Sequence, residues 1–253
     1  MRKIRSSLLG LLAAAVLLQS VASNAAEAAA ESLRIGLVDF APYSYYDEAG
    51  TATGLFIPLL SKMAQHAGYA ADFKILPAAR LVQGLQDGDV DVWLGIPDKP
   101  GLVGHTFNGT LEIGRTRVNL YYRPDTPKPR WPQDLHGKDL LLVHGYDYSP
   151  ALVDAMNDPE NAIRQQLAHN HAGAVGMLIR KRADYLLNYQ APMQQTLQLR
   201  PDLQIEHITL DTLPVQLIVS RHAPMGGEEL LIQLESAYLE LLQQGRIEEL
   251  PEL

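Results

Sequence analysis

Short apolar runs alternate with amphipathic stretches along this chain, and their order carries most of what the sequence says about the fold. Leu33-Arg34-Ile35-Gly36-Leu37-Val38 reads as a short buried strand, broken by Asp39-Phe40-Ala41-Pro42-Tyr43. Leu59, Leu60, Met63, Ala64 and Ala67 share one helical face, which Gly68 ends. Ala71 to Leu76 is the next strand. A helix carrying Leu81, Val82 and Leu85 then stops at Asp87-Gly88, and Val90-Asp91-Val92-Trp93-Leu94 forms a third strand. This β-α-β-α-β order predicts a parallel sheet with right-handed crossovers.

A second series follows. Arg117 to Arg123 reads as a strand, and the proline-rich stretch Pro124 to Pro132 is a stiff connector. Leu140-Leu141-Leu142-Val143 opens a new α/β run. It continues with a helix near 161–168, a glycine-containing helix near 172–181 and strands at Asp184 to Leu187, Gln204 to Ile208 and Val215 to Val219. The last helix is strongly amphipathic, with Leu230, Leu231, Leu234, Tyr238, Leu241 and Leu242 on one side. No repeat of solenoid period is present.

The amino terminus departs from this pattern. Arg2, Lys3 and Arg5 precede the apolar run Leu8 to Leu18, and Ser23-Asn24-Ala25 offers a cleavage point. That layout predicts a secretory signal peptide over residues 1–25, since the run is shorter than the roughly 20 apolar residues a spanning helix needs. Its removal takes three basic residues and no acidic one, moving the formal charge from -8 to -11. So acidic a chain disfavours nucleic acid and anionic lipid as partners. There is no cysteine, which excludes disulfides, thiol catalysis, thiolate zinc sites and a lipid-modified amino terminus.

Several local patterns together resemble the family 3 periplasmic solute-binding proteins, the polar-amino-acid-binding group of ABC importers. They are Leu33-Arg34-Ile35-Gly36, Ala41-Pro42-Tyr43-Ser44-Tyr45, Gly50 with Gly54-Leu55-Phe56, Leu81 to Gly88 and Val90-Asp91-Val92. Later pieces are Asp134 to Lys138, His144-Gly145, Arg182-Ala183-Asp184 and Leu241 to Ile247. The resemblance implies a two-lobed α/β fold of the type II periplasmic-binding-protein kind. Two mainly parallel sheets flanked by helices would be joined by two crossover hinge strands. On that pattern residues 33–116 and 213–253 form lobe one and residues 117–212 form lobe two. A ligand would lie in the crevice beyond the carboxyl ends of the strands and be enclosed by hinge closure.

Where the family places an arginine for the ligand carboxylate, this chain reads Asp98-Lys99-Pro100-Gly101-Leu102, with no arginine through Asn108. The aspartate that takes the ligand ammonium is Asn188 here, and Gly-Phe-Asp-Val-Asp becomes Gly54-Leu55-Phe56-Ile57-Pro58. These departures argue against an ordinary α-amino acid ligand.

Candidate ligand-binding residues sit at the ends of strands. Phe40 and Tyr43 offer an aromatic wall, whereas Tyr45 and Tyr46 read as packing. Arg80 either supplies the missing fork from a neighbouring direction or is a surface residue. Trp93 faces either crevice or core, Gly95 allows close approach of a ligand, and Pro97 follows them. Asp98 and Lys99 read as a solvated loop pair, with Lys99 an alternative substitute for the arginine. Tyr146, Asp147 and Tyr148 precede a helix whose start can hold a polar group, with Asp147 alternatively a helix cap. Asn188 completes the set. His169-Asn170-His171 lacks carboxylate partners and reads as surface rather than metal site. Ser149 lacks a nucleophile elbow.

The expectation is a periplasmic, monomeric protein without cofactor that captures a small polar or aromatic solute for an ABC permease. The alternatives are a sensing subunit of a membrane receptor, or a dehydratase-like enzyme using Glu112, Glu206 or His207. No catalytic residue is assigned.

Overall fold

Leu33, Ile35 and Leu37 alternate along β1 (Ser32–Leu37) and are all buried, so the first strand lies inside a sheet rather than at its edge. The computed structural model describes residues 31–251, and the proposed signal peptide lies outside the described residues. A small hairpin, β2 (Tyr45–Tyr46) and β3 (Ala52–Thr53), leads into α1 (Phe56–His66). Then come β4 (Ala70–Ile75), α2 (Ala78–Asp87), β5 (Val92–Gly95), β6 (Thr106–Asn108) and β7 (Gly114–Tyr122). The chain continues through β8 (Asp139–Val143), α3 (Pro150–Asn157), β9 (Arg164–Ala168) and α4 (His171–Ile179). It closes with β10 (Tyr185–Tyr189), α5 (Gln190–Gln198), β11 (Glu206–Ser220) and α6 (Glu228–Gln243).

The strands run β4-β1-β5-β11-β7-β10-β8-β9 along one hydrogen-bonded path, with β6 on β11. β1 is parallel to both β4 and β5, as the β-α-β-α-β order predicts. β8 is parallel to β9 and β10 in a second set. β11 joins the sets: Gln216 to Val219 pair with β5, while Glu206 to Val215 pair with β7. The result is the two-lobed α/β architecture that the resemblance implies, with a sheet in each lobe.

Each lobe carries its own apolar core. Leu33, Leu60, Met63, Leu94, Leu217 and Leu241 belong to one cluster. The second sheet is covered on both faces, by a cluster including Leu120, Leu140 and Leu187 and by another including Leu141, Leu178 and Leu186. Burial on this scale supplies the main driving force for folding. Within the first lobe, buried Asp91 accepts from the Arg34 backbone N–H and from its guanidinium, at 2.8, 2.9 and 2.5 Å. This tie fixes the start of β1 to the turn before β5.

Two readings of the sequence are corrected. The segment near 161–168 is not a helix but the strand β9. It is an edge strand with only Ala168 buried, so it lacks the apolar alternation that would have marked it. The two strands expected at 204–208 and 215–219 are one strand, β11. Its first half is poorly buried while its last four residues are buried, so the apolar signal fades where the strand leaves the first lobe. A bulge between Thr209 and Asp211 marks that half. No helix among the described residues is long and apolar enough to cross a membrane.

Candidate functional site

The turn after β1 and the turn after β8 meet, and the meeting is aromatic. The Phe40 ring contacts Tyr43 at 6.1 Å, Tyr146 at 6.1 Å and Tyr189 at 5.6 Å between centroids, the last two edge-on. Tyr146 lies edge-on to Tyr189 at 5.2 Å, and Tyr148 stacks on Tyr189 at 5.9 Å. Edge-to-face contacts of this kind add directional attraction to the area they bury. Phe40 packs against the apolar cores of both lobes. Ile96, just beyond β5, also packs against the second lobe's core, and Ala191 of α5 packs into the first.

Polar contacts cross the same gap. The Tyr146 hydroxyl donates to the backbone carbonyl of Asp39 at 3.2 Å. Lys99, on the loop after β5, forms an ion pair with Asp147 on the loop after β8. The Lys99 side chain is 14% exposed while that of Asp147 is 57% exposed, and the ammonium lies 5.9 Å from the Trp93 ring centroid. Burial holds the Lys99 ammonium below its usual pKa. The surroundings of Asp39 partly desolvate its carboxyl and raise it.

Residue by residue, the candidates separate. Phe40, Tyr146, Tyr148, Asp147 and Lys99 come together at the junction. Tyr43 is 5% exposed and packs against the Phe56 ring at 5.4 Å between centroids, so it is part of the first core. Trp93 is also buried, its indole folded over Gly95, where an added Cβ would lie 2.1 Å from the ring. Gly95 thus makes room for Trp93. Pro97 is half-buried on the loop that carries Lys99. Arg80 is exposed in the first turn of α2, with no hydrogen-bond or ion-pair partner for its guanidinium among the described residues. Across from that helix start, Gly145 faces Ala78.

Asn188 is fully buried and its amide is committed. Its Oδ1 accepts from the Tyr189 N–H at 2.9 Å, and its Nδ2 lies 2.9 Å from His171 Nδ1. His171 Nε2 in turn lies 2.9 Å from the Tyr146 hydroxyl. The reading of His171 as a surface histidine is therefore corrected: burial pushes its imidazole down to about 4, while His169 is exposed. The solvated-pair reading holds for exposed Asp98, which accepts from Asn108 Nδ2 at 2.8 Å, and is corrected for Lys99, which is largely covered and turns to Asp147. Asp147 does not cap α3; Ser149 occupies the N-cap position. Among the described residues no group of three or more His, Cys, Asp or Glu could hold a metal ion.

Sequence reasoning missed Tyr189 and His171. Tyr189 directly follows Asn188 at the end of β10, and its position at a strand end was the signal that could have placed it at the junction. His171 had no such signal, because only the fold brings α4 against β10.

An α/β chain of two lobes, tied by β11 and meeting through aromatic and ionic side chains, has the architecture of the periplasmic binding proteins. Residues 33–101 match the family described as bacterial extracellular solute-binding proteins, family 3, the family that the sequence resembles. No curated protein sequence matches the chain. Among solved structures it is similar to an ancestral arginine-binding protein bound to arginine, at 19% identity and a TM-score of 0.70, covering 85% of this chain and 93% of that one. It is similar to a histidine kinase sensor domain with similarity to periplasmic binding proteins, at 17% identity and a TM-score of 0.71, covering 86% and 93%. A third similar structure is an ancestral amino acid-binding protein that is a precursor of cyclohexadienyl dehydratase, at 17% identity and a TM-score of 0.67, covering 85% and 90%.

Proposed function

We propose that the chain is a periplasmic solute-binding protein, exported by a signal peptide over residues 1–25, that captures one small polar or aromatic molecule between its lobes. In this reading residues 33–116 and 213–253 form one lobe, 117–212 form the other, and the monomer hands its ligand to an ABC permease. The observation that carries the reading is the Phe40–Tyr146–Tyr189 contact. It brings half-buried Phe40 and Tyr146, backed by buried Tyr189, to the point where two lobes joined by β7 and β11 converge.

The ligand is not a standard α-amino acid. Asn188 is occupied by His171 and the Tyr189 N–H, and Lys99 offers a point charge rather than a planar fork. In this reading the protein binds its ligand without transforming it, as the family match over residues 33–101 supports. A thermal-unfolding screen of small aromatic and polar compounds tests the proposal. A ligand at 100 times its Kd adds about 2.7 kcal/mol to unfolding stability, and solution scattering then shows compaction as the hinge closes. A tight ligand that causes no compaction would contradict it.

The similarity to a histidine kinase sensor domain favours one second reading, in which the same closure reports to a membrane receptor. Capture of the ligand-loaded protein by solubilised inner membrane, followed by identification of the retained protein, separates a permease from a receptor.

A further inference from the structure

Four groups on two elements and two turns form a directed chain that ends at the lobe junction. Asn188 Oδ1 accepts from the buried Tyr189 N–H, so the amide nitrogen is the end that faces His171. An amide nitrogen can only donate, which makes His171 Nδ1 the acceptor and leaves the ring proton on Nε2. That proton points at the Tyr146 oxygen, and the Tyr146 proton is then free to go to the Asp39 carbonyl in the other lobe. Each group has one role, and each role fixes the next.

We propose that His171 is a positioning residue: as the neutral Nε2–H tautomer it aims the Tyr146 hydroxyl across the cleft at Asp39 and so makes lobe closure conditional on its own lack of charge. The inference rests on the reading of this cleft as the binding site. An imidazolium would present Nδ1–H to the Asn188 amide N–H groups. The amide would have to turn over, and the buried Tyr189 N–H would then lose its side-chain acceptor. Tyr189 is the residue on which Phe40 and Tyr148 pack, so the cost falls on the interlobe contact itself.

The ionisable groups around His171 do not offer it a counter-charge. On its own helix side stands exposed His169. The turn after β8 carries exposed His144, Asp147, which is engaged by Lys99, and the phenols Tyr146 and Tyr148. Tyr189 follows on β10, and α5 has no ionisable side chain. From the other lobe comes Asp39, whose charge, after burial, helps hold the Tyr146 phenol above its usual range. On β9, the charged residue Arg164 pairs with Asp139.

Two measurements test the proposal without any ligand. Imidazole nitrogen NMR at neutral pH, with His171 assigned by its loss in His171→Gln, is expected to show a bare Nδ1 and a protonated Nε2, with no imidazolium until well below pH 6. An Nδ1–H tautomer or ordinary titration would overturn the proposal, even if every variant misfolded. Because the chain has no cysteine, Lys74→Cys and Arg182→Cys accept a dye pair that reports lobe separation. Energy transfer is expected to fall as the pH approaches 4, at constant helical circular dichroism. It should stay flat in His171→Gln, whose amide still donates to Tyr146 but does not titrate. In Asn188→Asp the fall should be lost over this pH range, because a carboxylate accepts from the imidazolium and from the Tyr189 N–H at once, with no turning over. Identical profiles in all three proteins would overturn the proposal. A freely titrating His171 in a protein that still binds ligand defeats this inference alone; a protein that binds nothing defeats the binding reading alone.

Discussion

Lys99 and Asp147 form an ion pair between the two lobes in which one partner is nearly covered and the other is largely in water. The covered partner is the cation. Its burial beside Trp93 lowers its pKa, so the pair holds a charge that would otherwise be poorly solvated at the cleft. Asp147→Asn removes the counter-charge and should lower the Lys99 pKa further, as read by titration of its Nζ. The stability loss should be small, about 1 kcal/mol or less, because the partner removed is an exposed one. An unchanged Lys99 titration would show that the pair does not form in solution.

Tyr43 and Phe40 are neighbours with opposite expected effects. Tyr43 is core, so Tyr43→Ala should cost about 3–5 kcal/mol of unfolding free energy. Phe40 is only half-buried, and Phe40→Ala should cost roughly 1–2 kcal/mol while abolishing tight ligand binding. Chemical denaturation measures both. Equal destabilisation by the two would mean that Phe40 is also core.

This pair shows how far the sequence could be read. The first lobe was legible because its central strands β1 and β5 are largely buried and its helices have clean apolar stripes, as in α1. The second lobe was less so: β9 is an exposed edge, and α5 is a glutamine-rich helix whose apolar residues are few. Position after a strand end picked out Phe40, Tyr146 and Tyr148, which the fold brings together at the junction. The same rule offered Tyr43, which is buried in the first core, since side-chain direction within a loop has no periodicity to reveal it. Contacts such as His171–Asn188 form between elements separated in sequence, and no local pattern encodes them.

His171 also predicts a pH dependence of folding. Burial brings its folded pKa down to about 4, below the ordinary histidine value of about 6.5, so between these values the unfolded chain binds more protons. Its contribution to stability is therefore greatest above pH 6.5 and falls as the pH drops towards 4, by on the order of 3 kcal/mol. His171→Gln should remove that slope from a plot of unfolding free energy against pH. A slope that persists unchanged would assign it to other groups.

Gly95 holds space for the Trp93 indole. Gly95→Ala should push the ring out of its place and, with it, the Lys99 side chain that lies over it. In a Trp131→Phe background, where Trp93 is the one remaining tryptophan, the emission should shift to longer wavelength as the ring meets water. An unshifted spectrum would place the slack elsewhere.

The central claim is that the aromatic junction between the lobes receives a small molecule. Native mass spectrometry of freshly purified wild-type protein and of Phe40→Ala, prepared side by side, tests it most directly. The account predicts a non-covalent small-molecule adduct on the wild type that is lost or strongly depleted in Phe40→Ala. An adduct retained at equal occupancy by both proteins would contradict it.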